Sequence, residues 1–195
     1  MEETKKKGGN KKTVALTVEQ YEEIIKTMKE GFTGFKPCDR TATALVLEAN
    51  LGMRISDILQ LTPSSFIKDG ERWRLDIVEQ KTGKERNFTV PKEVYLYIKE
   101  YWLNLGIKEN ELIFPISVRG IQKSLKKVCD FLEYDNISTH SFRKFYATNI
   151  YTKNGYNIVL VQQLLQHSSP AITQRYLGIG SKELEKAIQD NLNLI

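Results

Sequence analysis

The sequence predicts a mainly α-helical protein with one small antiparallel β-sheet. Apolar residues recur at helical spacing along most of the chain, but they alternate with polar residues in two short segments, 72–78 and 86–90. These segments flank Lys-Thr-Gly-Lys, which predicts a β-hairpin that turns at Thr-Gly. A length of 195 residues, with 41% hydrophobic and 27% charged residues, is typical of a soluble globular domain.

Helices are predicted on both sides of the hairpin. The first begins near Thr17, where Thr-Val-Glu-Gln resembles a capping box. The second covers roughly residues 38–51 and ends at Gly52. Pro91 ends the second strand, and an amphipathic helix follows. Its aromatic residues, such as Trp102, are expected in the core rather than against nucleic acid.

The C-terminal half is predicted to be helical throughout. Three helices are predicted at residues 118–132, 140–153 and 157–166. Ser169 followed by Pro170 favours the start of a short helix, which places Tyr176 near its end. Glycines then break the chain before a last amphipathic helix at residues 181–195, which packs either on its own domain or against a neighbouring protomer.

The charge pattern favours a polyanionic partner without identifying one. The formal net charge is +5, and residues 1–12 contain five lysines and two adjacent glycines. We expect this segment to be a basic flexible tail that contacts phosphates or has no specific role. A run of about 18 apolar residues and an apolar signal core are both lacking, so we expect a cytoplasmic protein with no membrane association.

The two cysteines are expected to be reduced structural thiols. Cys38 and Cys129 are far apart in sequence and lack the paired spacing of a zinc site or a redox motif. The sequence therefore predicts neither a disulfide nor a metal centre.

The chain's only histidines fall where predicted helices begin or end. His140 is followed three residues later by Arg143, and His167 is followed nine residues later by Tyr176. A tyrosine hydroxyl, with an ordinary pKa of about 10, needs nearby cations and hydrogen-bond partners to act as a nucleophile at neutral pH. Two histidines and an arginine can supply them, so this grouping suggests phosphoryl transfer through a tyrosine.

Six positions, taken in order, resemble the catalytic set of the tyrosine recombinases, the phage integrase family. They are Arg54 in Leu-Gly-Met-Arg-Ile-Ser-Asp, Lys81 in Gln-Lys-Thr-Gly-Lys, His140 and Arg143 in His-Ser-Phe-Arg, His167, and Tyr176. Six separated positions form a far more specific signal than one short motif. The resemblance covers residues 13–195 and implies the catalytic domain of that family, with the fold of the DNA breaking-rejoining enzymes.

The resemblance also implies a role for each residue. Tyr176 attacks the scissile phosphate and forms a 3′-phosphotyrosyl intermediate, while Arg54, Arg143 and His167 stabilise the transition state by charge and hydrogen bonding. His140 assists proton transfer with the tyrosine. The resulting function is that of a site-specific DNA recombinase of the integrase, excisionase or invertase type.

Two assignments stay open: which of two lysines is the general acid, and what role Asp57 has. Lys81 matches the family's general acid, which protonates the leaving 5′ oxygen, but Lys84 lies three residues away on the same hairpin. Asp57 follows Arg54 by three residues, so it is expected to orient the guanidinium as a supporting residue, unless the contact is a salt bridge without catalytic consequence.

This chemistry implies neither a cofactor nor a metal. The arginines, the lysine and the histidines supply the positive field that magnesium provides in many phosphoryl-transfer enzymes. The energy of the broken phosphodiester is kept in the phosphotyrosine, so ATP is not required.

The expected partner is double-stranded DNA. The resemblance implies a tetramer on DNA, possible accessory DNA-bending proteins, and a bacterial, phage or mobile-element origin. The chain is either a fragment that lacks a separate DNA-binding domain or a short stand-alone member. A type IB topoisomerase-like enzyme and a catalytically silent DNA-binding module are the alternatives. A basic stripe of Lys123, Lys126 and Lys127 either enters a DNA groove or forms a solvated helix face.

Overall fold

The computed structural model describes residues 13–179 and Gln189, and these form eight helices and one three-stranded sheet. The predicted basic tail (residues 1–12) and, apart from Gln189, the predicted last helix (residues 181–195) lie outside the described residues. The predicted class, mainly α with a small antiparallel sheet, is confirmed.

Seven helices lie close to their predicted positions, and the short helix at Ile55–Ile58 was not among those predicted. The helices are α1 (Val18–Glu30), α2 (Asp39–Leu51), α3 (Ile55–Ile58), α4 (Lys92–Asn104), α5 (Val118–Phe131), α6 (Thr139–Lys153), α7 (Ile158–Leu165) and α8 (Pro170–Leu177). Thr17 caps α1 with the predicted capping box, and the Ser169 side chain accepts a hydrogen bond from the backbone N–H of Ile172 at the start of α8.

The sheet contains the predicted hairpin and one strand that was not predicted. Its strands are β1 (Phe66–Asp69), β2 (Arg72–Val78) and β3 (Glu85–Val90), in the order β1-β2-β3 and all antiparallel. In β1 only Phe66 is buried, so that segment has no alternation for the sequence analysis to detect. The β2–β3 turn places Gly83 at a positive φ of 64°, as the Thr-Gly pair predicted.

The core has a large part and a small part. The large cluster joins α1, α2, α4, α5 and the start of α6 to the inner face of the sheet, and it contains Trp102 as predicted. The small cluster is centred on the buried residues Ala147, Val161 and Leu165, between α6, α7 and α8, and the ring of Tyr176 packs against it. The nucleophile candidate therefore sits on a short helix that is held by few buried side chains.

Gly52 determines how the turn between α2 and α3 approaches α6. Its φ is 60°, and a Cβ built there would lie 2.4 Å from both Cδ1 and Cε1 of Tyr146. Only glycine permits both this conformation and this contact. The turn leads directly to Arg54, so this packing places that arginine beside α6.

Both cysteines are free thiols within helical surroundings. Cys38 precedes α2 and donates a hydrogen bond from Sγ to Thr41 Oγ1, while Cys129 is buried in α5, where burial raises its pKa to about 11. Among residues 13–179 and Gln189, no helix is long and apolar enough to cross a membrane.

Candidate active site

One open cavity of about 430 Å³ contains all six residues that the sequence analysis selected. It lies between the start of α3, the β2–β3 turn, the start of α6, and α8. Its lining consists of Arg54, Lys81, His140, Arg143, His167 and Tyr176, together with Thr13, Lys144 and Ile172. The six selected residues, which are up to 122 positions apart in sequence, thus face one space.

Arg54 is held by a carboxylate that the sequence analysis did not select. It immediately precedes α3, its side chain is 18% exposed, and Nη1 donates a hydrogen bond of 2.5 Å to Glu79 Oε2. Asp57 was expected to orient this guanidinium. Instead, its Oδ1 accepts a hydrogen bond of 3.0 Å from the backbone N–H of Gln80, and its Oδ2 has no hydrogen-bond partner among the described residues.

Arg54 and Asp57 both lie at the start of α3 but bond to different partners. Arg54 has an extended conformation, with φ −76° and ψ 146°, because it is the N-cap of α3. The guanidinium of Arg54 is directed to Glu79, and the carboxylate of Asp57 is directed to the backbone of Gln80. Asp57 instead joins α3 to the β2–β3 turn.

Arg143 is the buried cation of the cavity. It is 2% exposed in α6, and Nη2 donates a hydrogen bond of 3.2 Å to the carbonyl of Leu165 at the end of α7. Its Nη1 has no hydrogen-bond partner among the described residues. Burial lowers the pKa of Arg143. Nη2 of the guanidinium is therefore fixed by the fold, and Nη1 is available to an anion in the cavity.

The hydroxyl of Tyr176 is buried and has no hydrogen-bond partner in the described part of the chain. Tyr176 lies in the last turn of α8, and Lys144 Nζ lies 5.5 Å from the centre of its ring. Burial raises the pKa of Tyr176 to about 12, although the positive charge of Arg143 opposes this rise. Without a bound substrate, the hydroxyl is therefore neutral.

His167 is a neutral imidazole at physiological pH. Burial, followed by the charges of Arg143 and Arg54, lowers its pKa to about 4. Its Nδ1 lies 3.0 Å from Thr173 Oγ1, and its ring meets that of Tyr176 edge to face, with 5.1 Å between centroids. When Thr173 donates to Nδ1, the ring proton is on Nε2 and can be donated to a phosphate oxygen.

His140 occupies the first turn of α6, where a capping box formed by Ser138 and Ser141 starts the helix. Partial desolvation, and then the charges of Arg143 and Lys81, lower its pKa. The ring is therefore neutral near pH 7 and able to accept a proton.

The β2–β3 turn places the two candidate lysines differently. Lys81 lines the cavity, whereas Lys84 lies beside a separate hollow formed with Gln163 and Gln166. The turn is closed by hydrogen bonds from Gly83 N to Glu79 O (2.8 Å) and from Glu79 N to Lys84 O (2.9 Å). This geometry favours Lys81 over Lys84 as the residue that reaches a bound phosphate.

Comparison with known proteins identifies the family. The model of the phage integrase family matches residues 15–182. This chain belongs to the phage integrase family. Among its relatives, the probable integrase/recombinase YoeC of Bacillus subtilis is 33% identical over 141 residues, which cover 67% of this chain and 72% of YoeC. Tyrosine recombinase XerC of Caldanaerobacter subterraneus is 24% identical over 189 residues, or 91% of this chain and 51% of XerC.

Solved structures share the fold of this integrase-family chain. XerH site-specific recombinase bound to palindromic difH substrate has a TM-score of 0.68 and 20% identity over 94% of this chain and 55% of XerH. XerA recombinase has a TM-score of 0.65 and 19% identity over 97% of this chain and 68% of XerA. The chain spans about half the length of the XerC and XerH proteins it matches.

Three buried charged residues around the site of this integrase-family chain were missed from the sequence. Glu79 and Arg86 are 1% and 4% exposed, with Glu79 Oε1 3.6 Å from Arg86 Nη1, and Arg86 Nη2 donates to the carbonyl of Leu164 (2.7 Å). Glu48 is fully buried in α2, and burial raises its pKa well above the usual range although Arg143 opposes the rise. One signal was available, because alternation puts Arg86 on the same strand face as the buried Val90.

Proposed function

We propose that this domain is a site-specific tyrosine recombinase that cleaves and rejoins DNA through a covalent bond between Tyr176 and a 3′ phosphate. One observation carries the proposal: Tyr176 shares a single cavity with two arginines, two histidines and a lysine. Membership of a family with integrase and recombinase relatives supports this proposal.

In the proposed reaction, the scissile phosphate enters between Arg54 and Arg143. The free side of the Arg143 fork and the guanidinium of Arg54 bind its nonbridging oxygens, whose negative charge increases in the pentacovalent transition state. His167 adds a neutral hydrogen-bond donor. These groups are fixed before the substrate arrives, so little reorganisation is needed during the chemical step.

The proposed cleavage step transfers two protons. Oη of Tyr176 forms a bond to phosphorus as the bond from phosphorus to the 5′ oxygen breaks. The neutral ring of His140 accepts the tyrosine proton, and the ammonium of Lys81 donates a proton to the 5′ oxygen. The products are a 3′-phosphotyrosine and a 5′ hydroxyl, and attack by a 5′ hydroxyl on the phosphotyrosine reseals the strand. The proposed reaction uses neither metal nor ATP.

The same proposal extends to partners and location. Lambda integrase and XerH have been solved bound to their DNA sites, and we propose double-stranded DNA as the substrate here. Exchange between two DNA sites needs several active sites, so a tetramer on DNA is part of the proposal, with accessory DNA-bending proteins as possible partners. The proposed place of action is the bacterial cytoplasm, where such DNA lies.

A suicide-substrate assay tests this function. The chain is incubated, without metal, with nicked duplexes from a randomised library, and covalent adducts are mapped by mass spectrometry. We expect an adduct at Tyr176, which Tyr176→Phe abolishes while DNA binding persists. Tyr151→Phe is the matched control, because Tyr151 packs in the small core cluster and does not line the cavity.

The other outcomes of this assay separate the alternatives. An adduct at Tyr176 without any selected sequence would indicate topoisomerase-like cleavage. DNA binding without an adduct would indicate a silent binding module and would overturn the proposed function. A covalent adduct that persists in Tyr176→Phe would show that another residue is the nucleophile.

A further inference from the structure

Glu79 makes an unusual set of contacts for a residue that begins a surface turn. Its side chain is 1% exposed, and Oε2 accepts hydrogen bonds from Arg54 Nη1 (2.5 Å) and from Thr82 Oγ1 (2.8 Å). Its backbone N–H and carbonyl close the same turn through Lys84 and Gly83. One carboxylate thus joins a phosphate-binding arginine of the proposed site to the turn that carries Lys81.

A second hydrogen bond joins α3 to the same turn. Asp57 Oδ1 accepts from the backbone N–H of Gln80, the residue directly before Lys81. Arg54, which immediately precedes α3, binds Glu79. Asp57, which lies within α3, binds Gln80, so two consecutive residues of the turn are held. Two adjacent attachments restrict both the position and the rotation of the turn relative to Arg54.

Arg86 forms a second ion pair with Glu79, with 3.6 Å between Arg86 Nη1 and Glu79 Oε1. Its buried guanidinium lies on the opposite side of the carboxylate from Arg54 and is fixed to α7 through the carbonyl of Leu164. Burial by itself disfavours the charged form of Glu79, but hydrogen bonds from Arg54 and Thr82 outweigh this effect and lower its pKa. The carboxylate of Glu79 is therefore charged at neutral pH and links α3, the turn and, through Arg86, α7.

We propose that Glu79 is a positioning residue that sets the distance between the phosphate bound by Arg54 and the ammonium of Lys81. This inference rests on the proposed function. The phosphate is placed by the arginines, whereas Lys81 extends from an exposed turn, and a general acid works only within hydrogen-bond reach of the leaving oxygen. Glu79 and Asp57 are the described side chains that connect these two parts directly.

The test compares two leaving groups. Single-turnover cleavage is measured on nicked duplexes with an ordinary 5′ oxygen at the scissile position and on duplexes with a bridging 5′ sulfur. A thiolate leaves without protonation, because thiols are far more acidic than alcohols, so the sulfur substrate does not need Lys81. The ratio of the sulfur rate to the oxygen rate therefore reports how well Lys81 is placed, and a merely structural defect slows both substrates alike.

Two variants interrupt the link at different points. Glu79→Gln keeps the shape of the side chain but removes its charge. Thr82→Val removes the bond from Thr82 to Glu79, together with the long 3.4 Å bond that Thr82 Oγ1 accepts from the backbone N–H of Lys84. We expect Glu79→Gln to raise the sulfur-to-oxygen ratio by about 10-fold or more, in the range typical of lost supporting contacts, and Thr82→Val to raise it in the same direction by less. Glu85→Gln is the matched control, because Glu85 is exposed on the same hairpin.

The outcomes separate the inference from the proposed function. If wild-type protein forms the Tyr176 adduct and both variants leave the ratio unchanged, Glu79 does not position Lys81 and the inference is overturned, while the proposed function stands. If the wild-type chain cleaves neither substrate, the proposed function is wrong and this inference fails with it. A raised ratio in Thr82→Val, with an unchanged thermal midpoint, supports the inference even where Glu79→Gln unfolds.

Discussion

His167 and Thr173 connect the loop before α8 to that helix through a side-chain contact of 3.0 Å between Nδ1 and Oγ1. Thr173 is fully buried and lies one turn before Tyr176. The imidazole and the nucleophile candidate therefore share one support, and the protonation state of His167 affects the stability of the region that holds Tyr176.

The depressed pKa of His167 predicts a loss of stability in mild acid. Its pKa is about 4 in the folded protein, against an ordinary value of 6.5, so between these values the unfolded chain binds a proton that the folded chain does not. The stabilisation is complete above about pH 6.5 and is lost as the pH falls towards 4. Urea unfolding gives the free energy of unfolding of wild type and of His167→Gln at pH 7 and pH 4.5. We expect this free energy to fall less between the two pH values in the variant. Equal losses would contradict it.

Gly52→Ala is expected to destabilise the protein by about 2–5 kcal/mol. The new methyl group requires a left-handed conformation that costs about 1–2 kcal/mol and collides with the ring of Tyr146, which adds about 1–3 kcal/mol. Gly70→Ala is the matched control, since Gly70 also has φ 60° but no atom within 4 Å of the new Cβ. Urea unfolding should therefore show a clearly smaller loss for Gly70→Ala, and similar losses would rule out the collision.

Lys81→Ala should slow cleavage of an ordinary DNA strand by about 10²–10⁴-fold, because a proton donor for the leaving oxygen is lost. Lys84→Ala should change the rate only a few-fold, since Lys84 does not line the cavity. Single-turnover assays on nicked duplexes measure both variants. The reverse order of effects would assign the general acid to Lys84.

Arg143→Lys should lower the cleavage rate by about 10²–10³-fold, because one fixed donor of the oxyanion type is removed. The guanidinium binds the Leu165 carbonyl with one nitrogen and leaves another free, whereas an ammonium on a flexible stem does not keep this geometry. DNA affinity is measured in parallel, so that a lower cleavage rate is not mistaken for weaker DNA binding. A variant that cleaves at the wild-type rate would show that the guanidinium is not needed to hold one nitrogen on Leu165 and present the other to the phosphate.

Local sequence signals predicted most of the fold. The capping box at Thr17, the Ser169-Pro170 start and the alternating hairpin each act within a few residues, so they are visible without the tertiary structure. Strand β1 was missed because its single buried residue, Phe66, produces no periodic pattern.

The six candidate residues line one cavity, but the side chains that hold them were not found from the sequence. The resemblance to a known family selected the six residues, whereas Glu79 and Arg86 were missed, and Asp57 bonds to Gln80 rather than to Arg54. The pair of Arg54 and Glu79 spans 25 residues, and no local pattern specifies which buried charges meet across that separation.

The sequence by itself determined which side chains are available for chemistry and in which helices and strands they lie, because periodicity, caps and turns act locally. Only the tertiary structure decided which carboxylate holds Arg54, that Lys81 rather than Lys84 faces the cavity, and that Tyr176 is buried with a pKa of about 12. The physical reason is that burial and charge pairing depend on surfaces brought together from distant parts of the chain.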